Sequence, residues 1–296
     1  MNPSEQPQRL GIIGGSGLQA LRGLGDVEHL QIHTPFAEAP VPVTVGRLDG
    51  APIAFVQRHG VGHRIPPASI NVRANIAALK RVGCTQLISM SAVGSLAEDV
   101  APGTFVLIDQ YIDRTIQRDK TYFGDGLVGH VPFGEPTCAR MREALAAAAD
   151  QAGLDCRRTG TYVVMEGPQF STRAESMLYR QWGGTVIGMT GMPEAKLARE
   201  AELCYAMVAM ATDYDCWFDG MEAVTADMVS ERMTHMRDGA TALLRAIAAA
   251  FARQGDEACP CGCHRALDTA IMTAPEHRDP AMLARLEYVV PRIRGI

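Results

Sequence analysis

The feature that most constrains this 296-residue chain is its alternation of short apolar runs with longer stretches of helical periodicity. Several runs, such as LGIIG at 10–14 and PIAFVQ at 52–57, are continuously apolar, as strands are when helices cover both faces of a sheet. The alternation favours one doubly wound, layered α/β sheet over two separate domains. The predicted strands are 10–14, 41–47, 52–57, 86–92, 104–111, 161–165, 185–189 and 205–211, and the predicted helices are 70–82, 137–152, 172–181, 193–203 and 226–253.

Local signals and a change of character near residue 254 define the expected boundaries. Gly83 stands where the first helix should stop, and Pro193 followed by Glu194 suits a first helical turn. We therefore expect a main domain over 9–253 and a C-terminal appendage over 254–296. Within the appendage, apolar residues every three to four positions over 281–288 predict a short amphipathic helix.

Composition excludes several classes of function. The net charge of −5 argues against a protein that binds nucleic acid through a basic face, and 6% aromatic residues are too few for stacking along a single strand. No stretch approaches the ~20 apolar residues of a membrane span. The first residues, MNPSEQPQRL, lack the apolar core of a signal peptide, so we expect a cytoplasmic protein.

The eight cysteines fall into two groups. Five stand singly in apolar or mixed segments, where cysteines of cytosolic proteins usually behave as small buried hydrophobes: Cys84, Cys138, Cys156, Cys204 and Cys216. The other three, Cys259, Cys261 and Cys263, precede His264 and suggest zinc. Zinc sites usually combine two ligand groups separated in sequence, and no second Cys/His cluster is visible. The sequence-based expectation is therefore that no metal is bound.

Ligands of such folds collect where strands end and helices begin, so the polar residues after each apolar run are informative. Ser16 lies in a glycine-rich turn, Arg58 and His59 follow the run at 52–57, and Ser91 ends the run at 86–92. Alone, the glycine-rich turn is equally explained as a tight turn, and the Arg58–His59 segment is better explained as a solvated basic loop. Three strand ends with donors suited to phosphate, and no metal motif beside them, form a more specific combination.

Three later segments add groups suited to a flat heterocycle. Phe170 stands on a loop, and Met189 with Thr190 joins a strand to a helix. Asp213 and Asp215 have the spacing that places two carboxylates on one side of a continuing strand. Such a pair can accept hydrogen bonds from a ring amine or hold a proton for a leaving group.

These segments together resemble the trimeric class of purine nucleoside phosphorylases. The resemblance covers about residues 9–250, with all segments in the family's order. It is carried by the runs GIIGGSGL, RHGVGHRIPP, NVRANIAALK, SAVGSL, IDQYIDRT, EGPQFSTRAE, GMTGMPEAKLA and ATDYDCW. It implies a single α/β domain with a twisted mixed sheet flanked by helices, a homotrimer, and inorganic phosphate as co-substrate without a further cofactor.

The same resemblance assigns roles position by position. It implies sugar and base contacts for Met189 and Phe170, purine contacts for Asp213 and Asp215, and a contact near the 5′ group of a neighbouring subunit's substrate for His130. The implied phosphate contacts are Ser16, Arg58, His59, Ser91, Ala92 and Thr190.

Phosphorolysis replaces the purine at C1′ with phosphate, which requires a positioned anion and a proton for the departing base. Asp213 is the predicted proton donor. Paired aspartates favour a 6-aminopurine, and the resemblance then implies S-methyl-5′-thioadenosine as the substrate. The alternatives are a 6-oxopurine nucleoside, such as methylthioinosine or inosine, and a non-catalytic nucleoside-binding protein. A dinucleotide-dependent oxidoreductase is disfavoured because the glycine spacing does not fit.

Overall fold

Eleven strands and six helices make up the described part of the chain, which in this computed structural model comprises residues 8–15, 23–218, 225–254 and 258–296. The strands are β1 Arg9–Gly14, β2 Leu24–Ile32, β3 Val41–Leu48, β4 Ala51–Gln57, β5 Cys84–Ser95, β6 Phe105–Ile108, β7 Gln110–Asp113, β8 Cys156–Arg157, β9 Thr161–Val164, β10 Val186–Gly188 and β11 Cys204–Tyr214. The helices are α1 Val72–Arg81, α2 Ala139–Gln151, α3 Arg173–Gln181, α4 Glu194–Glu200, α5 Ala226–Gln254 and α6 Pro280–Glu287.

All eleven strands belong to one mixed sheet. Its main path runs β2-β3-β4-β1-β5-β10-β9-β7, and β11 leaves this path from β5 to pair with β6, which in turn pairs with β8. The pairs among β4, β1, β5 and β11 are parallel, whereas β10 is antiparallel to β5. This confirms the predicted α/β class with a mixed sheet flanked by helices.

The parallel centre of the sheet brings several strand ends to one edge. Strands β1, β4, β5 and β11 run in the same direction, so the residues that follow their carboxyl ends come together. The end of β10 joins them, because Ile187 is paired with Gly94 near the end of β5. This edge is where the predicted site residues collect.

The local helix signals act as expected. Gly83 takes a positive φ of 88° directly after the C-cap of α1, a conformation that glycine adopts without steric cost. The side chain of Asn71 caps the start of α1 by accepting a bond from the Ala74 amide at 3.0 Å. Pro193 is the N-cap residue of α4, which is shorter than predicted and ends at Glu200.

Two differences from the predicted strands have clear physical reasons. The single strand predicted over 104–111 is two strands, because the chain changes partners at Asp109: β6 pairs with β11, and β7 pairs with β9. Strand β2 was not predicted, since its sequence LGDVEHLQI is largely polar and exposed. Its pairing with β3 stabilises it, and only Leu24, Leu30 and Ile32 pack, partly buried, against the core.

Apolar side chains fill both faces of the sheet. One cluster packs α1 and α4 against it, and another packs α2 and α5 against the opposite face. Residues of the C-terminal segment, including Leu267, Leu286 and Val289, belong to the first cluster. Within the described residues, no helix combines the length and apolar character needed to cross a membrane.

Candidate active site

A cavity of about 160 Å³ opens at the edge of the sheet where the strand ends meet. Nine residues predicted from the sequence line it: Arg58, His59, Ser91, Ala92, Phe170, Met189, Thr190, Asp213 and Asp215. Because Arg58 and Asp215 lie far apart in the sequence, only the folding of the sheet brings these residues together. Side chains of both the predicted phosphate contacts and the predicted purine contacts therefore share one space.

The two aspartates reach the cavity through an irregularity in β11. The pairing with β5 shifts by one residue, so that Ala211 faces Val93 and Asp213 faces Gly94, with Thr212 as the extra residue. Such a bulge re-aims the side chains that follow it. As a result Thr212 and Asp213 both line the cavity although they are successive residues, and Asp215 lines it just beyond the strand.

Both carboxyl groups are buried, and burial changes how they titrate. Burial, together with the negative charge of Asp215, raises the pKa of Asp213 to about 6, although a 2.7 Å hydrogen bond that Thr212 Oγ1 donates to Asp213 Oδ2 acts in the opposite direction. Burial also raises the pKa of Asp215. The Oδ2 atom of Asp215 is buried with no hydrogen-bond partner among the described residues, so it is available to a donor on a ligand.

Gly94 makes room for this pair. A Cβ at this position would stand 3.2 Å from Asp213 Oδ1 and 3.4 Å from Asp215 Cβ, with Ile187 also at 3.3 Å. Close approach of the β5 backbone to both acids therefore depends on the missing side chain.

Arg58 is held beneath the cavity by a buried ion pair. Its Nε donates to Glu194 Oε1 at 2.9 Å, its Nη1 donates to the Met90 carbonyl at 2.9 Å, and its Nη2 donates to Ser89 Oγ at 2.6 Å. A weaker bond of 3.3 Å joins Nη2 to Glu194 Oε2. A guanidinium has five N–H donors, so these four bonds leave one Nη1 donor. That nitrogen lies 3.2 Å from the position of a Cβ on Gly15, which also lines the cavity.

A chain of hydroxyl groups forms the adjacent wall. Thr190 Oγ1 donates to Ser91 Oγ at 2.7 Å, and the buried Tyr162 hydroxyl lies 3.4 Å from Thr190 Oγ1. Small hydroxyl donors in this arrangement suit the oxygens of an anion. The Tyr162 hydroxyl also explains why β10 ends in a glycine, because a Cβ on Gly188 would clash with the tyrosine oxygen.

His59 is uncharged at neutral pH, because burial lowers its pKa to about 4. Its Nδ1 lies 2.9 Å from the Ile65 carbonyl, so Nδ1–H donates to that oxygen and Nε2 carries the lone pair. His63, which also lines the cavity, stacks on His59 with the ring centroids 4.0 Å apart. The Nε2 atom of His59 is therefore a hydrogen-bond acceptor.

Arg118 fixes the two loops that carry Met189 and Glu166. Its Nη1 donates to the carbonyls of Met189 at 2.7 Å and Met192 at 2.8 Å, and its Nε donates to Glu166 Oε1 at 2.9 Å. It touches the backbone that positions Met189 rather than the cavity itself. A planar fork of donors is what allows one side chain to hold two loops at once.

The other two predicted site residues are Ser16 and His130. Ser16 lies outside the described residues. His130 is exposed and does not line the cavity of its own chain; its backbone amide donates to the Ala270 carbonyl at 2.8 Å. That position agrees with a predicted contact to another subunit but does not test it.

Sequence reasoning did not select several residues that build the site. The sequence pattern marks Glu194 only as the start of a helix, and it does not single out Thr212, Tyr162 or Arg118. The signal for Glu194 was available, since a buried arginine requires a carboxylate partner. The contacts of Arg118 are mostly to carbonyl oxygens, which leave no trace in the sequence.

The sequence profile of the phosphorylase superfamily matches residues 9–250. The chain belongs to the phosphorylase superfamily. This phosphorylase is 53% identical over 284 residues to S-methyl-5′-thioadenosine phosphorylase of Bradyrhizobium diazoefficiens, covering 96% of this chain and 97% of the relative. It is 49% identical to the protein of the same name from Cereibacter sphaeroides, covering 96% of this chain and 98% of the relative.

Solved structures of phosphorylases share the fold. A methylthioadenosine phosphorylase from an antarctic soil metagenomic library superposes with a TM-score of 0.89 at 41% identity, covering 97% of this chain and all of that one. Methylthioadenosine phosphorylase from Schistosoma mansoni in complex with adenine superposes with a TM-score of 0.80 at 35% identity, covering 83% of this chain and 92% of that one.

Proposed function

We propose that this phosphorylase cleaves S-methyl-5′-thioadenosine with inorganic phosphate to give adenine and 5-methylthioribose 1-phosphate. The bond between C1′ and N9 of the purine breaks, a bond between C1′ and a phosphate oxygen forms, and the departing base takes up one proton. No electrons are gained or lost overall, so the chemistry calls for no redox cofactor. The relatives at 49–53% identity carry the name of this activity.

The observation that carries the proposal is the buried aspartate pair at the cavity wall. Asp213, with its pKa raised to about 6, can hold a proton and deliver it to N7 of the purine as the C1′–N9 bond breaks. Asp215 Oδ2, buried without a partner among the described residues, can accept a hydrogen bond from the exocyclic 6-amino group. A 6-oxopurine would instead present a carbonyl oxygen to these oxygens, a mismatch of buried polar groups.

The opposite wall supplies the phosphate site. The hydroxyl groups of Ser91 and Thr190, which bond each other, would rotate to donate to phosphate oxygens. Arg58 offers its remaining Nη1 donor, and Ala92 lines the same cavity. His59 Nε2, as an acceptor, can bind the hydroxyl of a monohydrogen phosphate. Ser16 is proposed as a further donor from the glycine-rich turn. Phosphate held beneath C1′ is then positioned for attack on an oxocarbenium-like centre.

The sugar is proposed to lie between these walls. Met189 would contact the ribose and Phe170 the sugar and base, since both line the cavity that the proposed phosphate and purine contacts share. His130 is proposed to reach the 5′ group in a neighbouring subunit of a homotrimer, which its exposed position allows. Light scattering should then give a mass three times that of the 31.9 kDa chain.

The end of the family match at residue 250 supports a phosphorylase domain over 9–253 followed by the 254–296 appendage. A cytoplasmic location stays a prediction.

Substrate comparison tests the proposal directly. Purified protein is incubated with methylthioadenosine, methylthioinosine or inosine, with and without phosphate, and the released base is quantified. We expect phosphate-dependent release of adenine to be fastest. Inosine as the best substrate would overturn the choice of base. Tight nucleoside binding without any phosphate-dependent release would instead favour the non-catalytic binding protein.

A further inference from the structure

Four cysteines from three distant parts of the chain meet in the fold. Cys138 is the N-cap residue of α2, Cys204 begins β11, and Cys259 and Cys263 belong to the C-terminal segment. All four are buried, and their sulfur atoms lie within 4.8 Å of one another. The expectation from sequence had treated Cys138 and Cys204 as isolated core residues, because nothing in the sequence connects them to the cysteine-rich segment.

Backbone contacts fix this arrangement from both sides. The Cys138 amide donates to the Tyr205 carbonyl at 2.8 Å, which holds the first two cysteines next to each other. In the C-terminal segment, the Gly262 amide donates to the Cys259 carbonyl at 3.0 Å, and Gly262 takes a φ of 68°. This turn directs Cys259 and Cys263 to the same side and leaves Cys261 exposed between them.

The sulfur spacing fits a shared metal ion. Four thiolates placed tetrahedrally at ~2.3 Å from zinc stand about 3.8 Å from one another. Cys138 Sγ lies 3.6 Å from Cys259 Sγ, and Cys259 Sγ lies 4.0 Å from Cys263 Sγ. Bonded sulfurs of a disulfide would be ~2.05 Å apart. The spacing of Cys259 and Cys263, with three residues between them, also falls within the range of paired zinc ligands.

A positive charge lies beside the cluster. Arg140 Nη2 donates to Cys204 Sγ at 3.5 Å. A zinc ion with four thiolates carries a net charge of −2, which this guanidinium would partly offset.

We propose that Cys138, Cys204, Cys259 and Cys263 form a structural zinc site. No position is left open for a substrate, so the ion stabilises the fold rather than acting in catalysis. It joins the C-terminal segment to α2 and β11. The segment is also attached to the body through the Leu267 amide, which donates to Glu202 at 3.1 Å, and through Arg292, which bonds the same carboxylate at 2.8 Å.

Metal analysis of the full-length protein tests the site. The chain is produced with zinc in the medium, purified in the presence of a reductant, and assayed for zinc and iron by mass spectrometry. We expect about one zinc per chain, and we expect the Cys263→Ser variant to lose it. The Cys261→Ser and Cys156→Ser variants are matched controls that should keep it, since neither residue belongs to the cluster.

A second measurement remains informative should Cys263→Ser fail to fold. Titrating the wild-type protein with a mercurial thiol reagent should release zinc to a chromogenic chelator, and refolding with Co²⁺ should give the visible absorption of a tetrahedral thiolate complex. The proposal is overturned by substoichiometric zinc with no such cobalt spectrum, by stoichiometric iron in place of zinc, or by equal zinc in Cys263→Ser and Cys261→Ser. A Cys138–Cys259 disulfide in freshly isolated, alkylated protein without zinc overturns it as well.

Discussion

Arg58 and Glu194 form an ion pair whose side chains are 0% and 3% exposed, directly beneath the cavity. Tyr205 and Ser89 also bond the same carboxylate, at 3.3 Å and 2.6 Å. Glu194 neutralises most of the guanidinium charge and also fixes the orientation of the Arg58 side chain. Arg58 therefore offers the cavity a directed hydrogen bond more than a full positive charge.

Removing Glu194 should be costly for stability. Glu194→Ala leaves the Arg58 charge buried without its partner, and we expect a loss of about 3–5 kcal/mol in the free energy of unfolding. The measurement is urea denaturation followed by circular dichroism. Glu287→Ala is the control, because it breaks the half-exposed pair with Arg294 and should cost under ~1 kcal/mol. Equal losses in the two variants would contradict the importance of burial at Arg58.

Asp213→Asn should slow turnover by about 10²–10⁴-fold, since it removes the proposed proton donor. Phosphate binding, measured by calorimetry, should be unchanged. An exposed carboxylate provides the control: Asp150→Asn, which only breaks a surface pair with Arg158, should behave like wild type. An unchanged kcat in Asp213→Asn would remove Asp213 from the mechanism.

The pH dependence of turnover tests the same role of Asp213. Asp213 is protonated below its raised pKa of about 6 and loses its proton above it, so kcat/KM for the nucleoside should fall as pH rises through about 6. Asp213→Asn should lack this alkaline decline. A decline that persists in the variant would mean that another group holds the proton.

Asp215→Asn should alter the choice of base. The amide can donate as well as accept, so it can pair with the O6 atom of a 6-oxopurine and loses one acceptor for the 6-amino group. We expect the ratio of methylthioinosine to methylthioadenosine activity to rise by about 10- to 100-fold, as an unsatisfied buried group costs ~1–3 kcal/mol. Competition assays with both nucleosides measure this ratio. No change in it would separate Asp215 from base recognition.

Gly94→Ala should displace the two aspartates of the cavity while leaving their carboxyl groups chemically unchanged. The new methyl group would crowd Asp213 Oδ1 at 3.2 Å and Asp215 Cβ at 3.4 Å, so we expect a higher nucleoside KM and a lower kcat. Gly134→Ala, where nothing lies within 4 Å of the added atom, should leave both kinetic constants unchanged. Steady-state kinetics of the two variants make the comparison. Wild-type constants in Gly94→Ala would show that the acids tolerate displacement.

The positions of the strand ends and of most site residues can be predicted from the sequence for one reason. In a largely parallel sheet, the polar residues in or just after the last part of each strand collect at one edge, which is how Arg58, Ser91 and Asp213 could be placed together. Contacts between distant segments were not predictable in the same way. Glu194 finds Arg58 only through the packing of α4, and the contacts of Arg118 are to backbone oxygens that any residue would provide.

The cysteines also show which features the sequence predicts and which it does not. Cys84, Cys138 and Cys204 are buried as predicted, whereas Cys156 and Cys216 are only partly buried. Sequence distance concealed that Cys138 and Cys204 meet the C-terminal pair. Strand β2 was missed for a different reason, because its stability comes from pairing with β3 and not from an apolar pattern.

The extra residue in β11 also governs how this phosphorylase tolerates deletions. Deleting Thr212 would join Ala211, opposite Val93, directly to Asp213, opposite Gly94, so the pairing of β11 with β5 would become regular. The strand would lose the bulge that re-aims Asp213 and the hydroxyl group that donates to it. A chain shortened by this one residue could fold with its sheet intact and still hold its proposed proton donor in the wrong direction.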